Sequence, residues 1–240
     1  MFERSLILTF FLVLIFLTSS AQSQPPDSVL YSKVATQVID SYNSNITDQS
    51  ELYNGPQYDL YPPANKGTFY FQDKNYCVPS LICFNDKWHK NVPVLYDVYN
   101  DIMISVTGNN LYVLNTEKIS DVYLLDHHFI YLTNQSDLLS GFYDLLYDGK
   151  SKVLVKRTKT IFDNQVSAQF AEIIYEDKSA IYLKKGDKFY LINSQGDLRD
   201  IFADKKKQIN QFIHNNKIKF NKDKEGAVAR IASYYDQISN

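Results

Sequence analysis

The sequence predicts a mainly β protein of the α+β kind, an antiparallel meander curled into a barrel-like or sandwich-like body, with one helix before it and a helix pair after it. Three observations carry that expectation. Between Thr68 and Asn193, short aromatic and β-branched runs recur roughly every ten residues, with joints such as "NDK", "TGNN", "DGK" and "KGD" that suit hairpins. No segment between these runs is long enough for the helical crossover of a parallel sheet, which disfavours a doubly wound fold. On either side of this region the apolar spacing changes from alternation to three- and four-residue steps, the helical period.

The first element is the opening "MFERSLILTFFLVLIFLTSSAQSQPP". Its apolar run, Leu6 to Leu17, falls short of the roughly 20 residues a membrane-spanning helix needs. Charged residues precede that run and small polar ones follow it, the layout of a secretory signal peptide. Ser19-Ser20-Ala21 suits cleavage, so residues 1–21 are expected to be removed from a protein exported to the periplasm or secreted. An uncleaved anchor is the less favoured alternative. After cleavage no transmembrane segment is expected.

Residues 22–67 are expected to form a helix and a Pro/Gly-rich lead-in. Val29, Leu30, Val34, Val38, Ile39 and Tyr42 share one face of a helix over about 28–43, with Asp27 or Ser28 as its cap. Pro62, Pro63 and Gly67 then interrupt any regular element.

Residues 68–201 are expected to be the β body. Its runs are "TFYF", "LICF", "VPVLYDV", "IMISV", "LYVLN", "DVYLL", "HFIYL", "FYDLLYD", "KVLVKR", "EIIYE", "AIYLKK" and "KFYLIN". The only two cysteines, Cys77 and Cys83, sit in "NYCVPSLICFN". In an exported chain the first expectation is a disulfide. A three-residue turn at Pro79-Ser80-Leu81 would place the two thiols opposite each other, and closing so small a loop would stabilise by about 2 kcal/mol.

Residues 202–240 are expected to form a helix pair packed on the sheet. Phe202, Ile209, Phe212 and Ile213 line a helix over about 204–215. Ala227, Val228, Ile231, Ala232, Tyr235 and Ile238 line a second, over about 222–237, capped at Asn221.

The stretch "LLDHHFIYL" looks most like chemistry. Asp126, His127 and His128 are the weak metal candidates of this chain. Apolar strand sequence flanks them on both sides, so the simpler reading puts Asp126-His127 at a hairpin tip and starts the next strand at His128. Phosphoesterases named for an Asp-His-His motif also need further aspartates on a parallel α/β framework, and neither is found here. The other histidines, His89 and His214, lie in unrelated settings.

Other chemistry is thinly signalled. Asp97, Asp101, Asp126 and Asp144 are the nearest candidates for cleft carboxylates, but all read as turn residues. With eight glycines in 240 residues, no glycine-rich phosphate loop appears, nor any hydrolase or zinc-protease motif. No cofactor is expected. A formal net charge of -2 offers no pull toward nucleic acid. The basic cluster Lys150, Lys152, Lys156, Arg157 and Lys159 reads as the solvated face of a strand, useful at an edge that must resist aggregation. The 19 tyrosines suit sugar stacking and protein interfaces, although most are expected in the core. Asn45-Ile-Thr47 and Asn134-Gln-Ser136 match the glycosylation sequon, which matters only in a eukaryotic host.

The segments "ELYNGPQYDLY", "VPVLYDVYNDIMI", "LLDHHFIYL", "GFYDLLYDGKSKVLVKRTKTI" and "DKKKQINQFIHNNKIKFNKDKEGAVARIASYYDQI" together resemble a group of exported proteins of the Bacteroidota with no assigned activity. The resemblance runs from about Ser50 to Asn240. It implies export and a shared fold but transfers no catalytic residue. Where that group tends toward a glycine-led segment this chain has "VPSLICFND", so the expected disulfide is particular to this chain. The functional expectation is a non-enzymatic binding or interaction module of the cell envelope, taking a protein or glycan ligand. The alternative is a hydrolase acting on an extracellular polymer through cleft carboxylates.

Overall fold

The computed structural model describes residues 50–239, apart from 62–63, 65, 134–136 and 168–169. For 50, 51 and 163–172 only the backbone is described. The expected signal segment, the helix over 28–43 and the sequons at Asn45 and Asn134 lie outside the described residues.

Ten strands form one sheet. They are β1 (Val78–Phe84), β2 (Lys87–Asp97), β3 (Ile102–Thr107), β4 (Asn110–Val113), β5 (Ile119–Leu124), β6 (His127–Leu132), β7 (Gly141–Asp148), β8 (Ser151–Ser167), β9 (Phe170–Lys185) and β10 (Lys188–Leu191). The order across the sheet is β10-β9-β8-β7-β6-β5-β1-β2-β3-β4, with every neighbouring pair antiparallel. The chain thus runs as two meanders, with β5 returning to pair with the free side of β1. The sheet does not close, so the expected barrel-like or sandwich-like body is replaced by an open sheet with edges at β4 and β10.

Several expected runs resolve differently. "TFYF" is no strand: Tyr70 makes one bridge to Asp97, and Phe71–Asp73 is a 3-10 turn in which Gln72 and Asp73 take positive φ. "EIIYE" and "AIYLKK" fuse into β9 because "EDKS" stays paired with β8, Asp177 opposite Lys159.

The cysteine segment is also corrected. "VPSLICF" is a single strand, and the chain reverses at Asn85-Asp86, both at positive φ as a two-residue hairpin turn requires. Pro79 stays inside β1 next to a register shift between Ser80 and Ile82, a place where a missing N–H is tolerated. Cys77 and Cys83 are then six positions apart along one extended run, roughly 20 Å at strand rise, and both are free thiols. Burial pushes the Cys77 thiol up to about 11 and raises that of Cys83, so both stay protonated and unreactive at neutral pH.

The sheet's inner face is buried in two ways. Across β1–β7 the sheet bends on itself. Tyr96 of β2 meets Phe129 of β6 at 5.0 Å and Phe142 of β7 at 5.8 Å between ring centroids, although several strands separate them in the sheet order. Ile82, Val94, Met103 and Val122 complete that core. Over β8 and β9 the same face is covered by α1 (Gln195–Ile201), α2 (Lys206–Asn215) and α3 (Lys224–Ile238). There Val153, Val155, Ile181 and Leu183 pack against Leu198, Phe202, Ile209 and Ile231. The expected helix pair corresponds to α2 and α3, with the second cap at Asp223, whose side chain accepts from the Gly226 N–H at 2.9 Å, instead of Asn221. Helix α1 is additional, started by a capping box between Ser194 and Asp197.

A third cluster lies on the outer face of β2–β3, where the lead-in crosses the sheet. Its backbone pairs with β4 through Tyr58 N–H to Leu111 O and Val113 N–H to Pro56 O. It then reaches β9 through Tyr175 N–H to Lys66 O. Gly55 permits the first contact, since a Cβ there would fall 1.8 Å from the Val113 carbonyl oxygen. Tyr58, Phe69 and Tyr70 are pinned against Leu95, Ile104 and Tyr175.

Candidate functional site

The Asp126-His127-His128 stretch forms the expected hairpin with its tip one residue earlier. Leu125-Asp126 is the turn, and His127 already pairs with Leu124 inside β6. Strand alternation sends the two imidazoles to opposite faces. On the outer face His128 stacks on Tyr123 at 4.1 Å and places Nε2 2.8 Å from Asp121 Oδ1. On the inner face His127 Nδ1 lies 2.7 Å from Asp144 Oδ2, and its Nε2 is 3.2 Å from Gln72 Nε2. With the Gln72 amide as donor, Nε2 accepts and Nδ1–H donates to the carboxylate. Asp126 faces solvent in the turn. The three residues therefore point three ways. Among the described residues no three His, Cys, Asp or Glu side chains converge as a metal centre would need.

Asp144 is the centre of an ionic seam. Expected at a turn, it sits inside β7 at 1% exposure, because it pairs with Val155 on the inner face of the sheet. Arg157 donates to it from Nε at 3.1 Å and from Nη2 at 2.5 Å, and grips Glu225 of α3 with both terminal nitrogens at 2.5 and 2.8 Å. Burial works against the Arg157 charge, yet the two carboxylates outweigh it and hold its pKa above the ordinary arginine value.

Lys156 points to the other face and closes the same seam. Its Nζ reaches Asp101 Oδ2 at 2.5 Å and the Phe142 carbonyl oxygen at 3.1 Å, while Phe142 N–H donates to Asp101 Oδ2 at 3.2 Å. Two side chains thus satisfy backbone groups of β7 that no β8 ladder reaches. Gly141, at φ +146, is what admits the carboxylate: a Cβ there would lie 2.0 Å from Asp101 Oδ2. Tyr96 donates its hydroxyl to Asp101 Oδ1 at 2.6 Å, and burial followed by the Asp101 charge raises that phenol well above its usual value. Lys159, with a fully buried side chain, spans Asp73 at 2.7 Å and Asp177 at 3.1 Å.

These contacts overturn the solvated-face reading of the basic cluster. β8 pairs with β7 only up to Val155, and beyond it Lys156, Arg157 and Lys159 neutralise acids instead of facing water. Only Lys150 and Lys152 stay near the surface, Lys152 pairing with Asp148. The four expected carboxylates are likewise dispersed. Asp97 is fully buried and accepts from Tyr58 OH at 2.8 Å, Asn100 N–H at 3.0 Å and Asn100 Nδ2 at 2.7 Å. Asp101 and Asp144 face Lys156 and Arg157, and Asp126 stands alone at its turn. None of the four lines the two best-formed concavities among the described residues, where a glycosidase pair would need to face substrate. The best-formed concavities among the described residues are open depressions elsewhere, beside Asn193–Gly196 and Ile218–Asn221.

What sequence reasoning missed is an aromatic surface above Asp97. Buried Phe69 is its floor. Tyr61, Tyr175 and Tyr99 lean on it with centroid separations of 4.0, 4.1 and 5.2 Å. Tyr61 and Tyr99 remain 41% and 44% exposed, and Leu60 beside them is more exposed still. Asn100 ties the rim to the buried base, donating from Nδ2 to Tyr61 OH at 2.9 Å while its other bonds hold Asp97. Tyr58, whose hydroxyl is raised by burial and then by its bonds to Tyr70 and Asp97, stands edge-on to Tyr61 at 6.0 Å. The rings come from the lead-in, the β2–β3 turn and β9, segments far apart in the chain. "YND" at the turn was the one local signal, and it announced only a turn.

Among the described residues no helix is long and apolar enough to cross a membrane. Comparisons with protein-family models, with curated proteins and with solved structures return no match to this chain. Function is therefore argued from the site itself.

Proposed function

We propose that this is an exported protein of the cell envelope that works by binding, and that its contact surface is the aromatic cluster around Phe69. The signal-like opening and the resemblance to exported Bacteroidota proteins support the location, periplasmic or secreted. The observation that carries the activity is the pair of half-exposed rings, Tyr61 and Tyr99, fixed on buried Phe69 and tied through Asn100 to Asp97. Rings of this kind lose little conformational freedom on binding and bring a large apolar area, the profile of an interaction hot spot. Polymer hydrolysis is the weaker reading, because Asp97, Asp101 and Asp144 are each consumed by bonds within the protein.

The test compares residues 22–240 with the Tyr61→Ala/Tyr99→Ala double variant, both coupled to beads and incubated with solubilised envelope. Wild type retains a component that the equally folded variant loses. Equal recovery on both, with matching near-ultraviolet circular dichroism, removes the cluster from function.

A further inference from the structure

We infer that the ligand of this surface is a neutral glycan, with Tyr61 and Tyr99 as stacking platforms and Asn100 as the polar contact between them. The inference rests on the binding reading above and names its ligand class.

Sugar rings present C–H faces that pack on aromatic faces, and hydroxyl rims that need both donors and acceptors close by. The cluster offers that combination. Tyr61 spends one side on Phe69 in a tilted stack at 4.0 Å, and Tyr99 meets Phe69 edge-on, which holds the two rings at different angles on one floor. Tyr61 OH already accepts the Asn100 Nδ2 bond, leaving its proton to donate. The Asn100 side-chain oxygen and Tyr99 OH have no partner among the described residues, so the rim supplies an acceptor and two phenols.

Charge decides between ligand classes. Asp97, beneath the rim, is fully buried and already accepts three hydrogen bonds, so its carboxylate oxygens are not open to a ligand. None of the side chains that build the cluster is cationic, so nothing in it would pair with an acidic sugar, a phosphate or a nucleic acid.

The test is titration calorimetry of residues 22–240 with maltohexaose, cellohexaose, mannohexaose and, as the charged control, hexagalacturonate. At least one neutral hexasaccharide should bind. Tyr61→Ala and Tyr99→Ala should each weaken it by about tenfold or more, the loss expected when an aromatic hot spot is truncated. Tyr61→Phe keeps the stack and loses only the hydroxyl, so its loss should be smaller. No binding of any neutral probe, preference for hexagalacturonate, or equal binding by Tyr61→Ala overturns the glycan assignment. If the neutral probes fail while the double variant still loses an envelope protein on beads, the binding surface stands and its ligand is protein. If both experiments fail, both readings fall.

Discussion

The half of the sheet formed by β1–β7 and the half formed by β8–β10 bury the same face by different means. In the first the sheet bends until β2 meets β6 and β7. In the second it stays open, and three helices lie on it. The junction is where they conflict. β7 pairs with β8 only between Asp144↔Val155 and Asp148↔Lys152, with a register shift between Leu145 and Tyr147. Beyond Val155 the strands part, and Asp101 and Lys156 take up the Phe142 N–H and carbonyl where ladder hydrogen bonds would otherwise run, with the Arg157–Asp144 pair beside them. Two ways of covering one sheet can be joined, but at the join charged side chains must satisfy what the backbone no longer can.

The largest way to break that comparison is to open the seam. Arg157→Ala leaves Asp144 buried without its main partner and releases Glu225 of α3. Removing one member of a buried ion pair costs about 3–5 kcal/mol, so the variant should lose that much in urea denaturation. A loss under about 1 kcal/mol, the level of a surface ion pair, would mean that the seam does not join the halves.

Much of the architecture was legible because it rests on local chemistry. The hairpin spacing announced antiparallel pairing, and the Asp126-His127 region formed the hairpin its flanking strands required. Apolar spacing also located α2 and α3 to within a few residues. What failed depended on distant partners. The role of Asp144 is set by Arg157 and His127, thirteen and seventeen residues away, so its strand position looked like any turn aspartate. Lys159 read as a solvent-facing lysine because Asp73 reaches it from 86 residues upstream. The cysteines misled through a different route: Pro79-Ser80 has the composition of a turn, but Asn85-Asp86, which tolerates positive φ, offered a better one six residues on. The aromatic surface could not be read at all, since its rings meet only once the lead-in crosses β2 and reaches β9.

A smaller test asks whether the halves fold as one unit. Ile82→Val trims the bent core and Ile231→Val the helix-covered core, each at a fully buried position. Each should cost about 1 kcal/mol. If the seam couples the halves, both variants shift one common transition, followed equally by fluorescence and far-ultraviolet circular dichroism. Two separable transitions, one moved by each variant, would show that the halves are thermodynamically independent and that the seam is only a contact.

The subtlest distinction is electrostatic, and it appears in acid. Asp73 ties the lead-in to the long β8–β9 pair, whereas Asp121 serves the outer face of the bent half. Burial alone would raise both carboxyls, but Lys159 and the Thr68 N–H overcome it at Asp73, and His128 with Ser120 overcome it at Asp121, so both lie below the usual range. A carboxyl depressed in the folded state binds fewer protons there than in the unfolded chain. Its contribution is therefore complete above the unfolded value of about 4 and is lost as pH falls through the lower folded value. Asp73→Asn and Asp121→Asn should each flatten the acid limb of stability below about pH 4 relative to wild type, measured by urea midpoints across that range. Asp73→Asn should in addition speed amide exchange at Tyr175, whose N–H is bonded to Lys66 in the lead-in, while Asp121→Asn leaves that amide unchanged. If both variants loosen Tyr175 alike, the acid response belongs to the whole sheet and the two carboxylates do not report on separate regions.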